Sequence, residues 1–199
     1  MIEGTQGYGN DAPALAEQYE SITFGDVHHE VMHLFPSPPA RILDVGAGSG
    51  RDAAALTVIG HRVVAVEPTD ALRREGMRLH GDKPIEWIDD HLPDLAQLHH
   101  RKERFDLILL TAVWMHLDSE ERRTAMRSLA GLLNPHGRIS MSLRHGPVPQ
   151  GRRMFEVSAA ETIELAGLHG LSEVHVAKRN DMLGRSDIHW TFVVLERGR

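Results

Sequence analysis

Gly46, Gly48 and Gly50 follow the apolar run Ile42-Leu43-Asp44-Val45, with Ala47 and Ser49 between them, and precede a helical pattern that opens at Arg51. Glycine has no Cβ to collide with a ligand and takes positive φ readily, so such a loop lets a ligand approach the backbone. The free N–H groups and the dipole of the following helix would favour a carboxylate or phosphate there. Glu67 lies 21 positions beyond Gly46, at the end of the next apolar run and beside Pro68. It is well placed to accept hydrogen bonds from two ribose hydroxyls. Loop and acid together specify a nucleoside ligand.

The third glycine separates two cofactors. A nicotinamide fingerprint G-x-G-x-x-G beginning at Gly46 needs glycine at position 51, which is Arg51; the spacing here is G-x-G-x-G. Asp44, two positions before the first glycine, would repel a pyrophosphate. It suits a cofactor with a positively charged amino acid portion.

The elements that must position these groups alternate along the chain. Strand-like runs at 42–45, 63–66, 85–88 and 105–110 are separated by helical patterns at 53–59, about 69–79 and near 94–100. This is the βαβ rhythm of a parallel sheet covered on both faces. A helix at 119–133, capped by Asp118 or Ser119 with Glu120 and Glu121 in its first turn, stops at Asn134-Pro135-His136-Gly137 before a strand at 138–143. A loop at 144–153, a helix at about 158–168 and two strands at 174–178 and 189–195 complete the chain; the polar stretch between those strands has no room for a crossover helix, so they should pair antiparallel. Ahead of Pro36-Ser37-Pro38-Pro39, helices at 11–20 and 24–34 read as a flank or lid. One domain is expected over 1–199, with 1–40 as the helical flank and 41–199 as the α/β core.

Composition narrows the chemistry. A hydrophobic fraction of 41% and a charged fraction of 25% are those of an ordinary globular protein. With no cysteine there is no disulfide framework, thiolate nucleophile or cysteine-ligated metal. The formal charge of −6 argues against recognition of a phosphate backbone by global attraction. Met1 to Gly7 lacks the basic and apolar stretches of a signal peptide, and no apolar run is long enough to span a bilayer, so a cytoplasmic location without membrane contact is expected.

The order of these features resembles the class I S-adenosylmethionine-dependent methyltransferases, over about 160 residues from Arg41 onward. The resemblance rests on the acid-x-G-x-G-x-G loop from Asp44, on Glu67, and on an acid after the third strand (Asp89 or Asp90). It rests also on the fourth strand running into Thr111-Ala112-Val113-Trp114-Met115-His116-Leu117, on the turn Leu132 to Arg138, and on the closing hairpin. It implies a doubly wound, mostly parallel seven-stranded α/β sheet with one antiparallel strand, and S-adenosyl-L-methionine as cofactor. By position, Asp44, Gly46, Ala47, Gly48 and Gly50 would hold the methionine and ribose portions, Glu67 the ribose, and Asp90 with His91 the adenine amino group. Thr111 would lie under the methionine end. Asp89 stands where the family usually has glycine, which leaves the adenine contact open between Asp89 and Asp90.

A sulfonium already makes its methyl group electrophilic, so the protein must align a nucleophile and exclude water. A neutral amine acceptor needs no base, whereas a hydroxyl is helped by a histidine or carboxylate. His116 is the first choice for a substrate-facing group, followed by Arg144 and His145, with Trp114 as a pocket wall; a turn histidine and a core tryptophan are the bland alternatives. Arg144, Arg152 and Arg153 could clamp an anionic acceptor or be solvated charge. Tyr8 and Tyr19 could close over the cofactor or anchor packing. A small-molecule acceptor is favoured, with nucleic acid or protein left open and no metal expected. Three other readings compete: a binding module without catalysis, a nicotinamide oxidoreductase, and a zinc hydrolase through His29-Glu30-Val31-Met32-His33, which matches H-E-x-x-H.

Overall fold

The structure, a computed structural model, describes residues 8, 9 and 11–199. The stretch Met1 to Gly7, read above for a secretion signal, lies outside them. Among the described residues no helix is long and apolar enough to cross a membrane.

Seven strands form one sheet: β1 (Arg41–Val45), β2 (Arg62–Val66), β3 (Ile85–Ile88), β4 (Phe105–Thr111), β5 (Leu133–His145), β6 (Leu171–Asn180) and β7 (His189–Arg197), in the order β3-β2-β1-β4-β5-β7-β6. β1 pairs parallel with β2 and β4, β2 with β3, and β4 with β5, while β7 pairs antiparallel with both β5 and β6. β7 alone therefore runs against the other six, as the short polar connection at 181–188 requires. The doubly wound α/β sheet with one reversed strand agrees with the sequence reading.

Strand alternation sends Leu43, Ile108 and Ile139 to one face, where they meet Leu98, Met126, Leu129 and Ala166 of the helices α5 (Ala96–Arg101), α6 (Ser119–Leu132) and α7 (Ala159–Gly167). Ile42, Leu107 and Leu109 point the other way, onto Ala53 and Leu56 of α3 (Arg51–Ile59) and Phe24 of α2 (Phe24–His28), which follows α1 (Ala12–Glu20). Burial on both faces explains why these strands read as continuous apolar runs. α6 opens on a capping box: Asp118 accepts from the Glu121 N–H while the Glu121 side chain accepts from the Asp118 N–H, so Asp118 and not Ser119 is the cap.

Two elements differ from expectation. β5 begins at Leu133 because the Asn134-to-Gly137 turn is an irregularity within the strand: Leu133 pairs with Phe105, and pairing resumes at Arg138 opposite Leu107. The helix expected over 24–34 ends at His28 and is followed by a separate 3-10 turn, Met32–Leu34. The apolar spacing is kept because Phe24, Val27 and Val31 are all buried, but two short pieces deliver it.

On the far side of the glycine loop, α4 (Asp70–Leu79) carries Gly76 against the Trp87 ring of β3. A Cβ at Gly76 would lie 2.7 Å from Trp87 Cζ2 and 2.9 Å from the Ser49 carbonyl oxygen. Gly76→Ala is therefore expected to lower stability by about 1–2 kcal/mol, although alanine favours a helix by about 1 kcal/mol. Thermal unfolding should show a Tm lower by several degrees, with partial recovery when Trp87→Leu is added.

Candidate functional site

The carboxyl ends of β1, β2 and β4 open into a cavity of about 490 Å³, the place where open α/β sheets bind ligands. Gly46 leaves β1 with φ 72° and donates its N–H to the Val66 carbonyl of β2, as does Ala47, at 2.8 and 3.0 Å. Gly46, Ala47 and Gly48 all line the cavity. A Cβ at Gly46 would strike Val113 Cγ2 at 2.6 Å, and one at Gly48 would press on the Tyr19 ring at 3.3 Å. Gly50 serves the scaffold instead. It caps α3 at φ 84°, and its Cβ would meet Trp87 at 2.8 Å, so the third glycine makes room for a tryptophan rather than for a ligand.

Two acids lie beneath this loop. Glu67 is buried and accepts the Gly48 N–H at Oε2 and the Thr69 N–H at Oε1, both at 2.8 Å. It thereby ties the glycine loop to the end of β2, and each carboxylate oxygen keeps a second lone pair. Burial pushes its pKa up, opposed by those two N–H groups. Asp44 is 2% exposed and lines the cavity, and its Oδ2 has no hydrogen-bond partner among the described residues. Burial first, then the neighbouring Asp52 carboxylate, pushes Asp44 well above the usual carboxylate range. The Arg51 guanidinium and the Ala53 N–H oppose that rise.

Asp52 is the acid the sequence reading missed. It sits in the first turn of α3, where an acid is unremarkable, yet its side chain turns inward to gather three donors. His28 Nε2 lies 2.9 Å from Oδ2, Thr111 Oγ1 donates to Oδ2 at 2.8 Å, and Arg51 Nε donates to Oδ1 at 2.7 Å. Burial alone would raise its pKa, but His28 and Arg51 hold it far below the carboxylate range. Thr111, expected under the ligand's methionine end, lines the cavity and is oriented by this contact.

At the other end of the loop set, neither Asp89 nor Asp90 lines the cavity. Asp89 faces solvent and pairs with Arg73 at 3.0 Å. Asp90 is buried but spends Oδ1 on the His91 N–H and Oδ2 on the Leu98 N–H, at 2.9 and 3.0 Å. Asp90 braces the turn with one N–H on each oxygen and a second lone pair left on each, and His91 and Leu92 beside it line the cavity, as does Pro68 beside Glu67.

Beyond β4 the cavity meets His116, Tyr8, Tyr19, Arg144 and Arg152. His116 Nδ1 lies 2.8 Å from the Arg153 carbonyl oxygen and Nε2 lies 3.0 Å from the Tyr8 hydroxyl. The Arg152 guanidinium stacks 3.6 Å from the centre of the Tyr8 ring. Arg144 donates to the Pro147 carbonyl at 2.9 Å and, more weakly, to that of Gly146. Burial, then Arg185, pull its pKa down. Three expected groups lie elsewhere. Arg153 turns to Glu121 and Asp118, at 2.7 and 3.2 Å. His145 is 2.9 Å from Thr191 Oγ1 and stacks on His189, away from the cavity, because alternation along β5 puts it on the opposite face from Arg144. Trp114 is fully buried among the core residues and forms no pocket wall. The loop before β7 supplies lining that sequence spacing gave no sign of: Asp181 and Arg185, paired at 2.7 Å, with Met182 and Leu183.

The H-E-x-x-H match is not presented by one helix. α2 ends before His29, Glu30 pairs with Arg179 at 3.1 Å, and His33 packs edge-on to His175. Among the described residues no group of three or more histidines and acids could hold a metal ion.

A family model described as a methyltransferase domain matches residues 43–141. A demethylmenaquinone methyltransferase of Clavibacter sepedonicus is 31% identical over 124 residues, 61% of this chain and 49% of that one. A ubiquinone biosynthesis O-methyltransferase of Bradyrhizobium diazoefficiens is 29% identical over 102 residues, 51% of this chain and 39% of that one. The chain spans about half the length of the curated relatives it matches. Among solved structures, a Burkholderia thailandensis 1,6-didemethyltoxoflavin-N1-methyltransferase with bound 1,6-didemethyltoxoflavin and S-adenosylhomocysteine superposes with a TM-score of 0.66 at 22% identity, covering 96% of this chain and 90% of that one. The matched region holds the glycine loop, both buried acids beneath it and the strand that carries Thr111, all on the strand order described above. Residues 43–141 are thus similar to a methyltransferase domain, and the fold is that of the class I S-adenosylmethionine-dependent methyltransferases.

Proposed function

We propose that this protein transfers a methyl group from S-adenosylmethionine to a nitrogen or oxygen nucleophile of a small, anionic acceptor. The observation that carries the donor assignment is Asp44 Oδ2, buried in the cavity lining with no hydrogen-bond partner among the described residues. A ligand bearing an ammonium and a sulfonium supplies the missing positive charge, and a pyrophosphate would worsen the deficit. Gly46 and Gly48 line the cavity beside it, and Glu67 retains acceptor capacity for ribose hydroxyls. Bound S-adenosylmethionine would supply the electrophilic methyl group. The chain's own contribution is to hold the donor, orient the acceptor and keep water out.

The acceptor reading rests on the arginines of the cavity lining: Arg144 and Arg152 stand there beside Tyr8 and His116, with Arg179 and Arg185 also in the lining. Guanidinium groups of this kind suit an anionic acceptor. The volume of about 490 Å³ lies within the range of small-ligand sites.

Incubation with labelled S-adenosylmethionine and a panel of small acids should yield S-adenosylhomocysteine together with a methylated acid. The same panel as neutral amides should react much more weakly. Arg144→Ala should raise KM for the acid by about tenfold, the cost of one charge-assisted contact. Equal use of acids and amides would refute the anionic acceptor.

A further inference from the structure

Resting on that reading, we propose that the acceptor nucleophile is a hydroxyl, and that its proton leaves through the Tyr8 hydroxyl to Nε2 of His116. A carbonyl oxygen can only accept a hydrogen bond, so the 2.8 Å contact between His116 Nδ1 and the Arg153 carbonyl fixes the proton on Nδ1. Nε2 is then the bare nitrogen. It faces the Tyr8 hydroxyl at 3.0 Å, with the rings edge to face, and both side chains line the cavity. Arg153 is itself braced: its guanidinium donates to the His116 carbonyl at 2.8 Å and to Glu121 at 2.7 Å, so one residue holds His116 at both its imidazole and its backbone.

A neutral amine can attack a methyl group without losing a proton first, whereas a hydroxyl gains strongly from a base. A buried imidazole with a fixed tautomer, joined to a phenol in the same cavity, suits the second chemistry. In the step, the acceptor oxygen forms the bond to the methyl carbon, and the electron pair of the broken C–S bond stays on sulfur. The acceptor proton passes to Tyr8 Oη as the Tyr8 proton passes to His116 Nε2. The sulfonium charge is thus replaced by an imidazolium charge, which solvent removes after product leaves.

The groups facing His116 are Tyr8 from the N-terminal segment and Arg144, Arg152 and Arg153 from the end of β5 and the loop after it. Burial, and then those arginines, lower its pKa, against the Arg153 carbonyl that raises it. The neutral, proton-accepting form therefore persists to lower pH than in an ordinary histidine, and activity should fall only below that point.

The test pairs 4-hydroxybenzoate with 4-aminobenzoate as acceptors and measures S-adenosylmethionine affinity separately. In the wild-type protein the hydroxy acid should be methylated with an acid limb below about pH 6.5. His116→Asn, whose amide can still donate to the Arg153 carbonyl, should lower kcat on the hydroxy acid by about 100-fold or more. Tyr8→Phe should lower it by about tenfold, each with donor Kd within about twofold. Methylation of the amino acid alone, or an unchanged kcat in His116→Asn, would overturn the proposal. So would nitrogen NMR placing the neutral His116 proton on Nε2, a readout that needs no acceptor. Loss of donor binding in the wild-type protein would instead refute the donor assignment.

Discussion

Asp44→Asn should weaken S-adenosylmethionine binding by about 2–4 kcal/mol, or about 30- to 1000-fold, while making the ligand-free protein more stable. Both effects come from one unpaired oxygen. In the free protein Asp44 carries the cost of burial and the repulsion of Asp52, which hold its pKa well above that of an exposed carboxylate. The folded chain therefore keeps a proton that the unfolded chain releases. Stability of the free protein should be fullest below the ordinary carboxylate pKa and should decline as pH rises towards the raised one. Binding a cation reverses this, since the anion is then favoured and a proton is expelled. Donor affinity should consequently fall as pH drops through the raised pKa of Asp44, and asparagine should abolish that dependence. A site that costs stability until its ligand arrives is a common trade in binding proteins.

The second large effect is expected at Asp52. Asp52→Ala strands His28, Arg51 and the Thr111 hydroxyl around a buried void, and breaking a buried ion pair by deleting one partner costs about 3–5 kcal/mol. At about 2–4 °C per kcal/mol for a chain of this size, thermal unfolding should move down by roughly 6–20 °C. The pKa of Asp52 is depressed, so its contribution is present through neutral pH and is lost only as acid protonates it. Asp52→Asn should be milder in stability and should also lower the pKa of Asp44, because one of the two negative neighbours is gone. A shift to lower pH in the donor-binding profile of Asp52→Asn would register that coupling.

These two acids show what the order of residues does and does not reveal. Asp44 was legible because its place is defined along the chain, two positions before a glycine loop. The parallel strands were legible because burial on both faces leaves long apolar runs. Asp52 was not, because an acid in the first turn of a helix satisfies the dipole equally well facing out, and nothing local marks it as facing His28 from α2. Trp87 and Gly76 were missed for the same reason: their contact spans β3 and α4 and leaves no periodic trace. The acids at 89 and 90 were correctly placed in the turn after β3, but the turn uses Asp90 for its own N–H groups. His145 was misplaced by a single residue of strand alternation. Its neighbour Arg144 faces the cavity and it does not. The lining from Asp181 to Arg185 depends on where an irregular loop folds back, which spacing cannot give.

The central claim is that a cationic nucleoside donor completes Asp44. It is tested most directly by calorimetric titration of the ligand-free protein with S-adenosylmethionine and with NAD, over a series of pH values from acid to neutral and in buffers of different ionisation enthalpy. The expected result is saturable one-site binding of S-adenosylmethionine with buffer-dependent proton release, no measurable binding of NAD, and loss of the proton release in Asp44→Asn. Binding of NAD in preference to S-adenosylmethionine, or unchanged S-adenosylmethionine affinity in Asp44→Asn, would contradict it.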